Sequence, residues 1–286
     1  MLLGCHVSVA GGPHNGVTYA RSVGAECLQF FAKSPRQWKA APISPDALQK
    51  YESARAEAGF PSVFTHTAYL INLSSVDPEL RARSTEALAD ELVRAAALGA
   101  EGVVTHIGND PGRDPRAAAQ RAAQAILDAH QLAGQSATQT TLLLENTAGS
   151  GTTFGGSVEE LAWVLDACDL PPDRIGFCFD TCHAFAFGMP LDQPRGWREL
   201  LDQASDLIGL DRLRLIHAND CMFPCGSKRD RHAWIGDGHI GIEGFSAMIC
   251  EPRLAHVRVV TEMPGESPEK DTVNLERLRF LRAACA

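Results

Sequence analysis

No apolar stretch among the 286 residues approaches the roughly 20 needed to span a bilayer. The opening Met-Leu-Leu-Gly-Cys-His places no basic segment ahead of an apolar run, so a secretory leader is not expected and the cytoplasm is the predicted compartment. No C-x-x-C pair occurs either. The nine cysteines are scattered, and the tightest spacings, Cys178/Cys182 and Cys221/Cys225, leave three residues between partners. A disulfide framework is not expected from that pattern, and a structural zinc site on Cys221 and Cys225 would need an unusual spacing. Nine free thiols in a reducing compartment are predicted instead. Positive charge is in short supply: 26 Lys and Arg face 35 Asp and Glu, a formal net charge of −9, which speaks against strong non-specific binding of nucleic acid. No linker or low-complexity segment interrupts the chain. A G-x-G-x-x-G turn after the first apolar run is missing as well, since Gly11-Gly12-Pro13 comes too late, and this counts against a doubly wound nucleotide-binding sheet.

What the chain does have is 45% hydrophobic residues, ample for a large core, arranged as short apolar runs alternating with Ala-rich amphipathic segments. The runs are Leu2–His6, Glu26–Phe31, Ser62–Thr65, Gly102–Thr105, Thr141–Leu144, Ile175–Phe179, Leu213–Ile216 and His256–Thr261. They are short and lack clean alternation, as strands buried on both faces should be. Ser44-Pro45, Asp77-Pro78 and Asp114-Pro115 each offer an N-cap followed by proline at the first helical position. Ser157-Val158-Glu159-Glu160 matches a capping box, and Gly59, Gly99 and Gly134 sit where helices should stop. Eight βα units with right-handed crossovers predict a (β/α)8 TIM barrel, which takes about 250 residues, as a single domain over 1–286.

The ligand-type residues fall where such a barrel does chemistry. His66, His106, Glu145, Asp180 and His217 each end or directly follow one apolar run, Glu262 does the same on the eighth, and His183 lies three residues beyond Asp180. Their spacing of 35 to 45 residues is one βα unit each, which sets them all on the C-terminal rim. One histidine at a strand end is usually a satisfied core residue; six imidazoles and carboxylates in register point to a metal centre. Mixed nitrogen and oxygen ligands suit Zn²⁺, Mn²⁺ or Fe²⁺ better than Mg²⁺ or Ca²⁺, and so many ligands imply at least two ions.

The stretches H-T-A-Y-L-I-N-L from His66, L-E-N-T-A-G-S-G from Leu144, F-D-T-C-H-A-F from Phe179, I-H-A-N-D from Ile216 and G-S-K-R-D-R-H-A-W-I-G-D-G-H-I-G from Gly226 resemble the endonuclease IV family. G-C-H-V-S-V-A-G-G from Gly4 and R-Q-W at Arg36–Trp38 fit the same family, so matches extend from Gly4 to about Glu262. The resemblance implies a DNA-repair phosphodiesterase that cuts duplex DNA 5′ to an abasic site, leaving 3′-hydroxyl and 5′-deoxyribose phosphate ends. It implies three zinc ions, with manganese an alternative in one position: His66, His106 and Glu145 on the first, Glu145, Asp180, His217 and Glu262 on the second, and His183, Asp230 and His232 on the third. Glu145, as bridge, is the expected catalytic residue. Three such ions would shift the net charge by about +6, to roughly −3. Arg36, Tyr69 and Leu70 would contact DNA, the latter two as a wedge in the base stack. Lys33, Gln37 and Trp38 beside Arg36, and Lys228, Arg229 and Arg231 around Asp230, suit phosphate contacts. A monomer is expected.

The chain departs from the family's usual pattern at Thr67-Ala68, Ile107-Gly108, Cys221-Met222 and Ala233. His6 is read either as a neighbour of the metal ligands or as a packed core residue, His14 and His239 as lining the DNA groove, and His130 and His256 as structural. Without the resemblance, Trp38, Tyr69 and Leu70 would be read as a cover for the barrel mouth. Three other functions compete: a xylose-isomerase-like sugar isomerase or epimerase, an amidohydrolase, and a non-catalytic DNA-lesion binder. The histidine-rich ligand set weighs against the first, the lack of H-x-H on the first strand against the second, and the completeness of the set against the third.

Overall fold

The computed structural model describes residues 1–137, 139–263 and 267–285. Eight parallel strands close into a barrel: β1 (Leu2–His6), β2 (Cys27–Phe31), β3 (Ser62–His66), β4 (Gly102–His106), β5 (Thr141–Glu145), β6 (Ile175–Asp180), β7 (Leu213–His217) and β8 (Arg258–Thr261). Each strand pairs with its neighbours in sequence, and β8 returns to β1 in a register running from Leu2 opposite Arg258 to Cys5 opposite Thr261. The expected (β/α)8 barrel is therefore observed. The strands differ from the apolar runs only at their ends, where β3 to β7 each take in one more residue, and that residue is a ligand candidate.

Helices α1 (Pro13–Ser22), α2 (Pro45–Ala58), α3 (Pro78–Ala97), α4 (Pro115–Ala133), α5 (Val158–Cys168), α6 (Thr181–Phe187), α7 (Pro194–Leu207), α8 (Gly241–Ile249) and α9 (Pro268–Ala284) pack around the strands. The side chains of Ser44, Asp77 and Asp114 each accept first-turn N–H groups, and Gly59 ends α2 in the left-handed region at φ 69°. Ser157 caps α5, but Glu160 departs from the expected box. Its carboxylate accepts from the N–H groups of Gly155 and Gly156, at 3.0 and 2.8 Å, and so ties down the loop before the helix. No helix among the described residues is long and apolar enough to cross a membrane.

Two apolar layers result. The larger lies between strands and helices; the smaller fills the barrel lumen with Cys27, Phe64, Val104, Leu143, Cys178, Leu215 and Val260, all buried, and with Leu2 beneath. Side chains alternate along a strand, so the residue two places beyond each lumen residue faces the barrel mouth. That rule leads from Phe64 to His66, Val104 to His106, Leu143 to Glu145, Cys178 to Asp180, Leu215 to His217 and Val260 to Glu262. On β1 the lumen position is Gly4, where a Cβ would collide with the carbonyl of Cys27, and two places further stands His6; on β2 the same step leads from Cys27 to Gln29.

The cysteines correct one expectation. Cys250, at the end of α8, and Cys285, at the end of α9, form a disulfide across 35 residues of sequence, so the thiols are not all free. The pairing depends on two helix ends that meet in space, which sequence spacing does not reveal. Cys221 is buried and Cys225 exposed, and no ligand group among the described residues joins the two.

Candidate metal centre

Nine side chains from the ends of the strands β3 to β8 and the segments that follow them meet above the lumen layer. His66 Nε2 lies 3.0 Å from Glu145 Oε2, and His106 Nε2 lies 3.5 Å from the same oxygen. The other Glu145 oxygen is 3.0 Å from His217 Nδ1, which in turn lies 3.1 Å from Glu262 Oε2 and 4.0 Å from Asp180 Oδ2. Asp230 offers one oxygen to His183 Nε2 and the other to His232 Nε2, each at 3.3 Å. Three groups of potential ligands follow: His66/His106/Glu145, Glu145/Asp180/His217/Glu262 and His183/Asp230/His232, each with its ligand atoms within 4.8 Å of one another. Glu145 belongs to two of them, one oxygen to each. A fourth group, Asp180/Cys182/His232, overlaps the last two and sets Asp180 between them.

The backbone aims these side chains. His66 Nδ1 is 2.8 Å from the Thr67 carbonyl, His183 Nδ1 2.9 Å from that of Asn146, and His232 Nδ1 2.7 Å from that of Glu262. In each ring one nitrogen donates to a carbonyl, which turns the other toward the carboxylates, where it would offer its lone pair to a bound ion. Asp180 ends β6 and caps α6, its Oδ1 accepting from His183 N–H at 2.7 Å, while Asn219 donates to its Oδ2 at 2.6 Å. Asp230 and His232 arrive on the segment after β7. Asp220 clamps both ends of that segment, since its carboxylate accepts from the N–H groups of Cys221, Gly236, Gly238, Ile240 and Gly241.

The electrostatics tie the carboxylates to the imidazoles around them. Burial opposes ionisation of Glu145, yet the surrounding His106, His217 and His183 hold its carboxyl well below the usual range. Glu262 and Asp230 likewise lie low, because nearby imidazoles outweigh burial. Asp180 moves the other way, raised by burial, and His106 is lowered to about 4 by the same cause. Burial also disfavours charge on His183 and His232, but adjacent carboxylates more than compensate, lifting His232 to about 9. His232 Nε2 is buried and finds no hydrogen-bond partner among the described residues, with Asp230 and Asp180 oxygens 3.3 and 3.8 Å away. A buried ring nitrogen placed between two carboxylates fits a metal ligand, and the whole donor set suits a borderline divalent ion.

Around this centre lies a rim. Tyr69 is 64% exposed above His66 and Phe31, with Leu70 half-buried beside it. Arg36 and Gln37 are exposed, and Trp38 is half-buried under the guanidinium of Arg83. Lys33 does not join them: its amine is fully buried between Asp90, at 2.8 Å, and Glu91, at 3.5 Å, so the phosphate contact read for it is withdrawn. Arg229 lies over Phe223 and Lys228 over Phe187, both exposed, as is Arg231. His6 faces the centre, 3.3 Å from Glu262. His14 is half-buried and His239 exposed. His130 is buried against Arg174 in α4, and exposed His256 meets the Leu210 carbonyl; both stand apart from the centre.

Comparison with known proteins fits this geometry. Residues 17–284 match the family described as xylose isomerase-like TIM barrel. A probable endonuclease 4 of Methanoculleus marisnigri is 38% identical over 99% of this chain and 100% of its own length. Another, of Oleidesulfovibrio alaskensis, is 42% identical over 99% of this chain and 95% of its own. The chain belongs to the endonuclease IV family. The solved endonuclease IV of Thermus thermophilus superposes with a TM-score of 0.88 at 35% identity, covering 99% of this chain and 100% of that one. A D-tagatose 3-epimerase-like protein reaches a TM-score of 0.75 at 18% identity over the full length of both chains, which reflects the shared barrel alone.

The departures from the usual endonuclease IV pattern have physical accommodations. Ile107 is fully buried, and its carbonyl accepts from Leu73 N–H. Gly108, at φ +124°, lets the backbone pass Asn72, whose side chain a Cβ would strike, and pairs with Phe154. Cys221 is buried opposite His232, whereas Met222 stands 57% exposed at the mouth. Thr67 hydrogen-bonds Thr105, and Ala233 is buried opposite Asp220. The supporting amides Gln29, Asn146 and Asn219 and the clamp Asp220 were not among the sequence candidates. Only the period-two register of the strands could have pointed to Gln29.

Proposed function

We propose that the protein is a metal-dependent apurinic/apyrimidinic endonuclease of base excision repair, a cytoplasmic monomer in which residues 1–286 act as one catalytic unit. It hydrolyses the phosphodiester 5′ to an abasic deoxyribose in duplex DNA, leaving 3′-hydroxyl and 5′-deoxyribose phosphate ends. The observation that carries this reading is the convergence of nine imidazoles and carboxylates into three groups around Glu145, and membership of the endonuclease IV family supports the substrate class. His66, His106 and Glu145 would hold one ion, Glu145, Asp180, His217 and Glu262 a second, and His183, Asp230 and His232 a third. Zinc suits these donors, with manganese an alternative in one position. Bound there, the ions supply Lewis acidity, lowering the pKa of water and offsetting charge on the phosphoryl oxygens.

The chain's own residues perform the rest. Glu145 divides its oxygens between the His66 and His217 sides, which fixes the separation of two positions and orients the attacking water. Tyr69 and Leu70 enter the stack beside the lesion, where an abasic nucleotide costs least to extrude. Arg36 meets a backbone phosphate, which sets register without reading sequence. The test is incubation with a duplex holding one abasic site, followed by end-group analysis. The expected product is a chelator-sensitive nick bearing a 3′-hydroxyl. A nick 3′ to the lesion, or none, would overturn the reading.

A further inference from the structure

The inward-facing positions at the barrel mouth are His6, Gln29, His66, His106, Glu145, Asp180, His217 and Glu262, and Gln29 is the one neutral amide in that ring. It is fully buried, and both its N–H groups and its carbonyl are engaged. We propose that Gln29 is a positioning residue that fixes the proton on His217 Nε2 and the rotamer of Glu262, and thereby prepares both side chains for one ion. This inference rests on the reading of His217 and Glu262 as metal ligands.

Donors and acceptors decide how the amide is turned. Glu262 Oε1 lies 2.7 Å from Gln29 Nε2, and a carboxylate oxygen accepts, so the amide must turn its NH₂ group that way. Its second N–H reaches His6 Nδ1 at 2.9 Å. The amide carbonyl is then left facing His217 Nε2 at 2.9 Å. A carbonyl only accepts, so His217 must carry hydrogen on Nε2. Its Nδ1, 3.0 and 3.1 Å from Glu145 Oε1 and Glu262 Oε2, is thereby the nitrogen left to give its lone pair to an ion. With Oε1 of Glu262 occupied by the amide, Oε2 alone is offered to an ion. His66, His183 and His232 use backbone carbonyls for the same purpose; His217, fully buried, draws instead on a side chain of β2, a strand to which its own is not paired.

Gln29→Met keeps the approximate volume and removes every hydrogen bond. Partners that orient metal ligands typically govern 10- to 100-fold in affinity, so competitive chelator titration should show one ion weakened by about that factor and the rest unchanged. Imidazole ¹⁵N NMR of the zinc-loaded wild type should show His217 with its proton on Nε2, and exchange of that proton with solvent should quicken about tenfold in Gln29→Met. A packing role would instead lower the thermal midpoint and leave ion affinities and the tautomer alone. If the variant fails to fold, the wild-type spectrum decides. A His217 proton on Nδ1, or a folded Gln29→Met that holds every ion as wild type does, overturns the assignment. Wild-type protein that takes up no ion would overturn the function proposed above. The metal-free protein would then test Gln29 by itself: slow solvent exchange of the His217 Nε2 proton that quickens in Gln29→Met supports the role, and equal exchange in the two proteins overturns it.

Discussion

Glu145 is buried among imidazoles that compete for its two oxygens, so its charge matters more than its bulk. Gln at this position keeps the size and loses the bridge. Incision of abasic duplex by Glu145→Gln should fall at least about 10³-fold, some 4 kcal/mol of transition-state stabilisation, with DNA binding retained. Near-normal incision by the metal-replete variant would refute the assignment. His130 offers a second residue-level test, remote from the metal centre. Burial, and secondarily Arg174, lowers its pKa from 6.5 to about 4. The unfolded chain therefore binds more protons between those two pH values, and stability present above pH 6.5 drains away as pH falls through the window. The loss approaches about 3 kcal/mol, and His130→Gln should flatten it in urea titrations at pH 7 and pH 4.5. Equal acid sensitivity in the two proteins would dismiss the effect. At this scale the sequence was readable where chemistry is loud: charged or imidazole residues at strand ends announced themselves. It was silent at Gln29, Asn146 and Asn219, whose amides have no pattern of their own, and misleading at Lys33, whose ion pairs lie on a helix more than 50 residues away.

The strands and helices themselves were written plainly. Short apolar runs, N-caps before proline and glycine stops follow local physics, and each is satisfied by a neighbour within a few residues. Contacts between distant helix ends follow no such rule, and the link between α8 and α9 was accordingly missed. In oxidised protein, Cys285→Ser should lower stability by about 2–4 kcal/mol while sparing incision, since the bond closes a loop of 35 residues. A reductant should erase the difference, and recovery of nine alkylatable thiols from native oxidised protein would show the bond to be absent. The segment after β3 carries the proposed wedge. Replacing Tyr69 and Leu70 with alanine should leave ion content intact and cost a few kcal/mol in discrimination between abasic and intact duplex. Cleavage of a small phosphodiester, which has no stack to open, should barely change. Equal losses on both substrates, with a lower melting temperature, would reduce these residues to a lip of the barrel.

For the molecule as a whole, elemental analysis should find close to three divalent ions per chain, mostly zinc, and their removal should lower the melting temperature in proportion to their affinity. One ion or none in active protein would sink the arrangement. The lumen layer governs how those ions come and go. Cys27, Phe64, Val104, Leu143, Cys178, Leu215 and Val260 form a buried apolar plug directly beneath the proposed ligands, and hydrated cations do not pass through a close-packed apolar floor. On the function proposed above, ions and DNA would both reach the centre from the mouth side. Metal traffic and substrate traffic would then share one door: a damaged duplex across the mouth would lock in the ions beneath it, and a chelator would wait its turn outside.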